Sequence, residues 1–268
     1  SDRIRPIVFH PTQPLLFTGA LDDYLRVWNL ETGEMVMEVA DHNAGSNGSI
    51  DLSADGTLLA FARRGGAASI VTWPQFKEVH QFKTTGREAL SIQFNADATQ
   101  VAFTGRGDYL GLFDVRSGEL IATPPASSMV WNTEFSPDGQ TLYGGIWTKE
   151  VFKWDLRSPT KPPMEFTGHN GLVSDVQTRP GDPRILASAS TDGALKLWDT
   201  RTGNCLATIT PFGGWEVITA CFSPDGKRLA ATGSNGEAAI YDLHYYDAFI
   251  EGNREYQERK AGVAAGLP

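Results

Sequence analysis

Residues 173–210 read VSDVQTRPGDPRILASASTDGALKLWDTRTGNCLATIT, and this stretch decides the fold. It holds four short apolar runs, VSDVQTR, ILASAS, ALKLWD and CLATIT, separated by PGDP, TDG and TRTG. The separators are turn chemistry: Pro fixes φ, Gly permits a positive φ, and Asp or Asn bonds its own backbone. Four runs of about six residues between such turns predict four antiparallel strands in one small twisted sheet. Such a sheet cannot bury both faces alone, but it can when similar sheets pack face to face.

Working outward, the same pattern recurs. An aromatic near the end of a strand appears in VWNL at Trp28, VTWP at Trp73, LFDV at Phe113, KWDL at Trp154, LWDT at Trp198 and IYDL at Tyr241. Upstream of each lies a strand ending in a turn (VFHPTQP, DLSADG, QFNADA, EFSPDG, QTRPGDP, CFSPDG). Between these two landmarks sits a short apolar run (LLFTGA, LLAFAR, QVAFTG, TLYGGI, ILASAS, RLAATG). Three landmarks held in register through six copies define a repeat of about 40–45 residues. Repeated four-stranded sheets that leave only short edges make a β-propeller.

The chain resembles the WD-repeat β-propeller family from Ile4 to Leu243, most closely in the fifth unit. There Gly168-His169, Ser188–Gly193 and the LWD ending at Asp199 match the family pattern. The resemblance implies an all-β propeller of four-stranded antiparallel blades. It also implies a buried structural network in which Asp192 holds a turn over His169, with Ser188, Ser190 and Trp198 completing it. A Ser-His-Asp trio invites a catalytic reading, but a triad needs an exposed nucleophile beside an oxyanion hole. The other units depart from the pattern: Asp22 and Trp28 remain in the first, while Ala67, Gly107, Thr148 and Asn235 are read at the turn position elsewhere. Units rich in SPDG and poor in Trp resemble bacterial members of the family.

The expected repeats are residues 1–41, 42–85, 86–127, 128–167, 168–211 and 212–243, forming one propeller domain over 1–243, with a helical tail over 244–268. In the family the outermost strand of the last blade comes from the start of the domain. Here the sixth unit supplies three strands and the chain opens directly on an innermost strand. The closing strand is therefore expected from an upstream segment of the same chain, and the commoner family count favours six repeats of a seven-bladed ring. The tail carries Tyr245, Tyr246, Phe249 and Ile250 at the spacing of one helix face, with Gly252 and Asn253 as its expected end.

Composition bounds the function. With 41% hydrophobic and 21% charged residues the chain reads as an ordinary globular protein, and its net charge of −9 argues against non-specific nucleic-acid binding. Cys205 and Cys221 lie in apolar strand patterns and read as reduced core residues. No metal-ligand spacing and no phosphate loop is found, so no cofactor is expected. Nor is a membrane segment, and the location is read as cytoplasmic.

The expected function is a non-catalytic scaffold or regulatory domain of a longer protein, not an enzyme. Loops on the narrower family face carry Arg3, Arg5, Arg63, Arg64, Arg87, Glu88, Arg106, Met129, Trp131, Trp147 and Trp215. Arg63, Arg64, Arg87, Arg106, Trp131, Trp147 and Trp215 form the candidate interaction face, since Arg and Trp anchor interfaces. Such an Arg cluster would be a positive island suited to an acidic protein or peptide partner. Two rivals stand beside this reading. One is a propeller enzyme with a hydrolase or lyase site in its channel; the other is a structural domain that positions a fused catalytic domain.

Overall fold

The turn between the first two strands of a repeat shows how local chemistry sets the architecture. In SPDG and its variants the leading Ser53, Ser136 or Ser223 donates its hydroxyl to an Asp two residues on, at 2.6 Å in each case. The same Oγ accepts the amide five residues on, at 2.9 Å, closing the turn against the next strand. Asn95 does the second job through its amide oxygen. The fourth residue of the turn has a positive φ, which Gly56, Gly139 and Gly226 adopt without strain and Ala98 adopts in their place. These Asp carboxyls, Asp55, Asp97, Asp138 and Asp225, are held below the usual range, the largest cause being the Ser or Thr hydroxyl bond.

A computed structural model describes residues 4–20, 22, 24–40, 49–63, 65–83, 88–107, 109–244, 246–248 and 250–253. The first sheet contains β1 (Ile4–Phe9), β2 (Leu15–Ala20), β3 (Leu25–Asn29) and β4 (Met35–Val39). The second has β5 (Ile50–Leu52), β6 (Leu58–Arg63), β7 (Ala67–Thr72) and β8 (Glu78–Lys83). The third has β9 (Ala89–Phe94), β10 (Gln100–Gly105), β11 (Tyr109–Asp114) and β12 (Leu120–Ala122). The fourth has β13 (Val130–Phe135), β14 (Thr141–Ile146), β15 (Val151–Asp155) and β16 (Met164–Phe166). The fifth has β17 (Val173–Thr178), β18 (Ile185–Ser190), β19 (Leu195–Asp199) and β20 (Cys205–Ile209). The sixth has β21 (Val217–Phe222), β22 (Arg228–Gly233) and β23 (Ala238–Asp242). Every sheet is a simple antiparallel meander, five of four strands and the last of three among the described residues. The fold is all-β, built of propeller blades, with a short helix α1 described at residues 244, 246–248 and 250–253.

The chain divides into two compact units, residues 1–143 with 154–163 and residues 144–153 with 164–268. In the first unit, Phe17, Leu25 and Val27 on the front of the first sheet pack on Ile50, Leu59, Phe61 and Val71 on the rear of the second. The front of the second sheet (Ala60, Ala62, Ala68, Ile70) then meets the rear of the third (Ile92, Phe94, Val101, Phe103, Phe113). In the second unit the fifth sheet offers Ala187, Ala189, Leu195 and Leu197 to Val217, Ala220, Phe222 and Leu229 of the sixth. The alanines of the second and fifth sheets let the bulky rear of the next sheet close to contact, while the first sheet meets the second bulky on bulky.

Helix α1 buries Ile250 and half-buries Tyr246 against that last core. Asp247 accepts from Arg179 at 2.7 Å, and Asn253 donates to the Leu206 carbonyl at 2.6 Å. The described part of the helix reaches Gly252 and Asn253, and the residues after Asn253 lie outside the described ones. Tyr245 and Phe249 lie outside the described residues. The cysteines are free thiols but not the core residues expected: Cys205 is half-buried and Cys221 exposed.

Innermost strands are tied to one another by side chain to backbone bonds. Asp51 Oδ2 accepts the Phe94 amide at 2.7 Å, and Gln93 Oε1 accepts the Phe135 amide at 3.0 Å. In the second unit Asp175 Oδ2 accepts from the Ala220 amide at 3.0 Å and from Thr219 Oγ1 at 2.6 Å. Burial drives the Asp51 carboxyl up to about 7 and that of Asp175 up to about 6, against the amide and hydroxyl bonds that pull the other way. The nearby Glu134 carboxylate raises Asp51 a little further. A raised folded pKa stabilises the fold below the unfolded value of 3.8 and is lost as pH climbs through about 7. Asp51→Asn keeps an acceptor for the Phe94 amide and removes the charge. It should therefore gain about 1–2 kcal/mol over wild type between pH 5 and pH 8, roughly 2–6 °C in Tm, read by thermal melts at both pH values.

Candidate functional site

The fifth sheet carries a closed polar network at one end. Trp198 Nε1, a donor only, bonds Ser188 Oγ at 2.8 Å. Ser188 Oγ lies 2.7 Å from His169 Nε2, and His169 Nδ1 lies 2.9 Å from Asp192 Oδ2. A neutral imidazole has one assignment here: Nδ1–H donates to the Asp192 carboxylate, and Nε2 accepts the Ser188 hydroxyl proton. Burial lowers the His169 pKa, outweighing the Asp192 bond that raises it, so the ring stays neutral. Asp192 also accepts the Asn170 amide at 2.8 Å and the Ala194 amide at 2.9 Å. Those bonds and His169 hold its carboxyl below the ordinary value despite burial. Ser190 Oγ accepts the Asp192 amide at 3.2 Å.

This is not the geometry of a nucleophile. Ser188 and Ser190 are fully buried, and the Ser188 oxygen already takes the indole proton. What the network does is fix the turn 191–193 and the loop before β17. A Cβ on Gly171 would sit 2.6 Å from Thr191 Oγ1, and one on Gly193 would sit 3.1 Å from Gly214. The loop that carries Trp215 therefore rests directly on the turn that Asp192 holds. Trp215 is 59% exposed, and its amide bonds the Phe212 carbonyl at 3.1 Å. Trp147, following β14 on the equivalent sheet edge of the same unit, is 51% exposed.

The remaining interface candidates scatter. Trp131 is the second residue of β13, not a loop residue, and is half-buried. Arg63 ends β6, donates to Glu78 at 3.2 Å and lies over the Phe61 ring. Arg106 pairs with Glu88 at 2.6 Å. The positive island thus does not form from these two, since each guanidinium has a carboxylate drawn from elsewhere in its own sheet or from the loop before it. Arg64, Arg87 and Arg3 lie outside the described residues; Arg5 falls in β1, and Met129 is half-buried. Among the described residues no group of three or more His, Cys, Asp or Glu side chains could hold a metal ion, and no helix is long and apolar enough to cross a membrane.

In the first, second, third and sixth sheets the Ser188 position holds Thr18, Phe61, Phe103 and Ala231. Only the first keeps an indole–hydroxyl bond, Trp28 to Thr18 at 2.9 Å, with Asp22 turned to Arg26 instead of a histidine. Trp73 does not occupy the Trp28 position. The register of β6 with β7 puts Val71 there, and the Trp73 amide bonds the Thr57 carbonyl as Leu30 does that of Pro14. Its buried indole nitrogen finds no acceptor among the described residues. Likewise Gly65, not Ala67, stands at the Asp192 turn position, because Ala67 already begins β7.

The WD domain, G-beta repeat, matches residues 4–29, 160–199 and 203–242. Periodic tryptophan protein 2 of Arabidopsis thaliana is 26% identical over 88% of the chain, which spans 28% of that protein. Protein transport protein sec31 of Schizosaccharomyces pombe is 27% identical over 50% of the chain and 11% of its own length. Nuclear distribution protein PAC1 of Arthroderma benhamiae is 32% identical over 57% of the chain and 35% of its own length. The chain therefore spans about a third or less of these relatives. They come from a plant and two fungi, so the bacterial affinity suggested by the SPDG-rich units is not borne out.

Removing the shared hydroxyl should be costly. Ser188→Ala strands the Trp198 N–H and leaves His169 Nε2 without its donor, an expected loss of about 2–4 kcal/mol. Ser190→Ala, which removes one 3.2 Å acceptor, should lose under about 1 kcal/mol. Urea unfolding midpoints of the two variants against wild type check the difference.

Proposed function

We propose that this chain, which carries WD40 repeats, acts as a non-catalytic scaffold that binds a protein or peptide partner through the turns and loops at one end of its sheets, with Trp215 as the principal anchor. The observation that carries the reading is a large exposed indole on a loop that is itself seated on a rigid, fully bonded turn. A preorganised aromatic gives large contact area at small ordering cost, the usual property of an interface hot spot. The match to the WD domain supports the class, and two relatives carry names that concern transport and nuclear distribution. The partner's identity is its own matter in each.

Recognition here is aromatic more than cationic, because Arg63 and Arg106 are already paired with Glu78 and Glu88. An acidic partner is therefore a weaker part of the proposal than a partner with an apolar side chain to place against Trp215. A cytoplasmic location belongs to the same proposal.

Trp215→Ala should lower recovery of the specific partner from extracts of the source cell by about 30-fold, the effect of a hot spot of about 2 kcal/mol. Its Tm should stay within about 1 °C of wild type, since the indole is solvent-exposed. Undiminished recovery of the same partners by Trp215→Ala would refute the assignment of the site.

A further inference from the structure

In the first, second, third and fifth sheets a tight turn joins the third strand to the fourth, at residues 30–34, 73–77, 115–119 and 200–204. Each turn closes in the same way. The residue four places after the end of the third strand takes a positive φ, and its amide bonds the carbonyl of that strand end. The bonds run from Gly33 to Asn29, Phe76 to Thr72, Gly118 to Asp114 and Gly203 to Asp199, each at 2.8 or 2.9 Å. In the fourth sheet that place is held by Pro159, which has no N–H to give and a φ fixed in the negative range. The short turn cannot close there. Residues 156–163, LRSPTKPP, instead make two successive turns, from the Ser158 amide to the Asp155 carbonyl and from the Lys161 amide to the Ser158 carbonyl, each at 3.0 Å.

Opening the loop frees a hydroxyl. Ser158 stands where Thr32, Ser117 and Thr202 stand in the tight turns, and there the hydroxyl accepts the amide two residues on, that of Glu34, Glu119 or Asn204. The Ser158 hydroxyl has no such bond, nor any other among the described residues. Around it Arg157, Thr160, Lys161 and Pro162 are exposed. The chain has five Ser-Pro or Thr-Pro pairs, at Thr123, Ser136, Ser158, Thr210 and Ser223, and the structure tells them apart. The Ser136 and Ser223 hydroxyls are committed to their own turns, donating to Asp138 and Asp225 and accepting the amides of Thr141 and Arg228. Three residues after Thr123 and Thr210 stand Ala126 and Gly213, whereas three after Ser158 stands Lys161.

We propose that Ser158 is a phosphorylation site, the acceptor for a protein kinase whose substrate groove selects a proline directly after the acceptor and a basic side chain three residues on. Pro159 suits such a groove because it brings no N–H in need of a partner, and Lys161 brings a charge for an anionic group of the kinase. Two backbone bonds shape the loop, so drawing it out into the groove costs little. The co-substrate is ATP. Ser158 Oγ forms a bond to the γ-phosphorus, the bond from that phosphorus to the bridging oxygen breaks, ADP leaves, and the hydroxyl proton passes to the general base of the kinase. The product adds a charge of about −1.5 to −2 at pH 7, flanked in sequence by the cationic Arg157 and Lys161.

The test incubates the full 268-residue chain with radiolabelled ATP and a purified proline-directed kinase that labels a control Ser-Pro-x-Lys peptide, and maps the site by tandem mass spectrometry. Wild type should take up close to one phosphate per chain, on Ser158. Ser158→Ala should abolish the labelling while keeping the wild-type circular dichroism and Tm, because its hydroxyl bonds nothing in the fold. Lys161→Ala, which removes one charge-assisted contact, should lower labelling by about 10-fold or more. Pro159→Ala, which restores the missing amide, should lower it as well. A wild type that takes up no phosphate overturns the assignment, as does Ser158→Ala labelled at the wild-type level. Equal labelling of Thr123 or Thr210, or unchanged labelling of Lys161→Ala, overturns it too, since Lys161 would then not mark the site.

Discussion

The structure depends on one contact, the closure of the apolar rear face of one sheet on the apolar front face of the sheet before it. Each sheet has too few strands to enclose a core of its own, so burial is available only between sheets. The contact sets which residues each strand must carry. Alanines at 60, 62 and 68 lie opposite Phe94, Val101 and Phe103, and alanines at 187 and 189 opposite Phe222 and Leu229. Small-against-large pairing lets the faces interdigitate at close-packed density, and deleting a buried ring there opens a cavity. The Asp51–Phe94 and Gln93–Phe135 bonds then fix where one innermost strand stands against the next.

Against that common packing, the polar network of the fifth sheet is one solution among several. Where His169, Ser188, Asp192 and Trp198 satisfy one another, the sheet end is rigid and its Trp and His can be buried without loss. The second and third sheets put Phe61 and Phe103 in the place of Ser188, so that position carries no polar group. Either arrangement avoids an unsatisfied donor at that position; away from it, the Trp73 indole finds no acceptor among the described residues. The network also supports function at a distance of one loop, since Gly193 and Gly214 are in near contact and Trp215 follows immediately.

Repeat length, strand order and the composition of the turns were legible because they are local: Pro, Gly, Asp and Ser act within a few residues of themselves. Registers that depend on counting through a turn were harder. Trp73 looks like the repeat aromatic, yet Val71 holds that place, and Gly65 stands where Ala67 was expected, because strand pairing rather than letter spacing sets equivalence. Charge was least legible. The partners of Arg63 and Arg106 arrive from a strand or loop that spacing does not identify, so these two arginines, read as positive, are each paired with a carboxylate. The placement of Trp131 within a strand and of Cys221 on an uncovered face has the same origin: a strand residue's exposure depends on whether another sheet lies against that face.

The most direct measurement compares Phe94→Ala with Phe9→Ala by equilibrium unfolding in urea at low protein concentration. The two residues are chemically identical and occupy one repeat position, but Phe94 is covered by the second sheet and Phe9 is not. If packing between sheets is the principal source of stability, Phe94→Ala loses about 3–5 kcal/mol and Phe9→Ala less than about 1 kcal/mol. Equal losses would contradict the account, because stability would then reside in each sheet by itself and not in the contact between them.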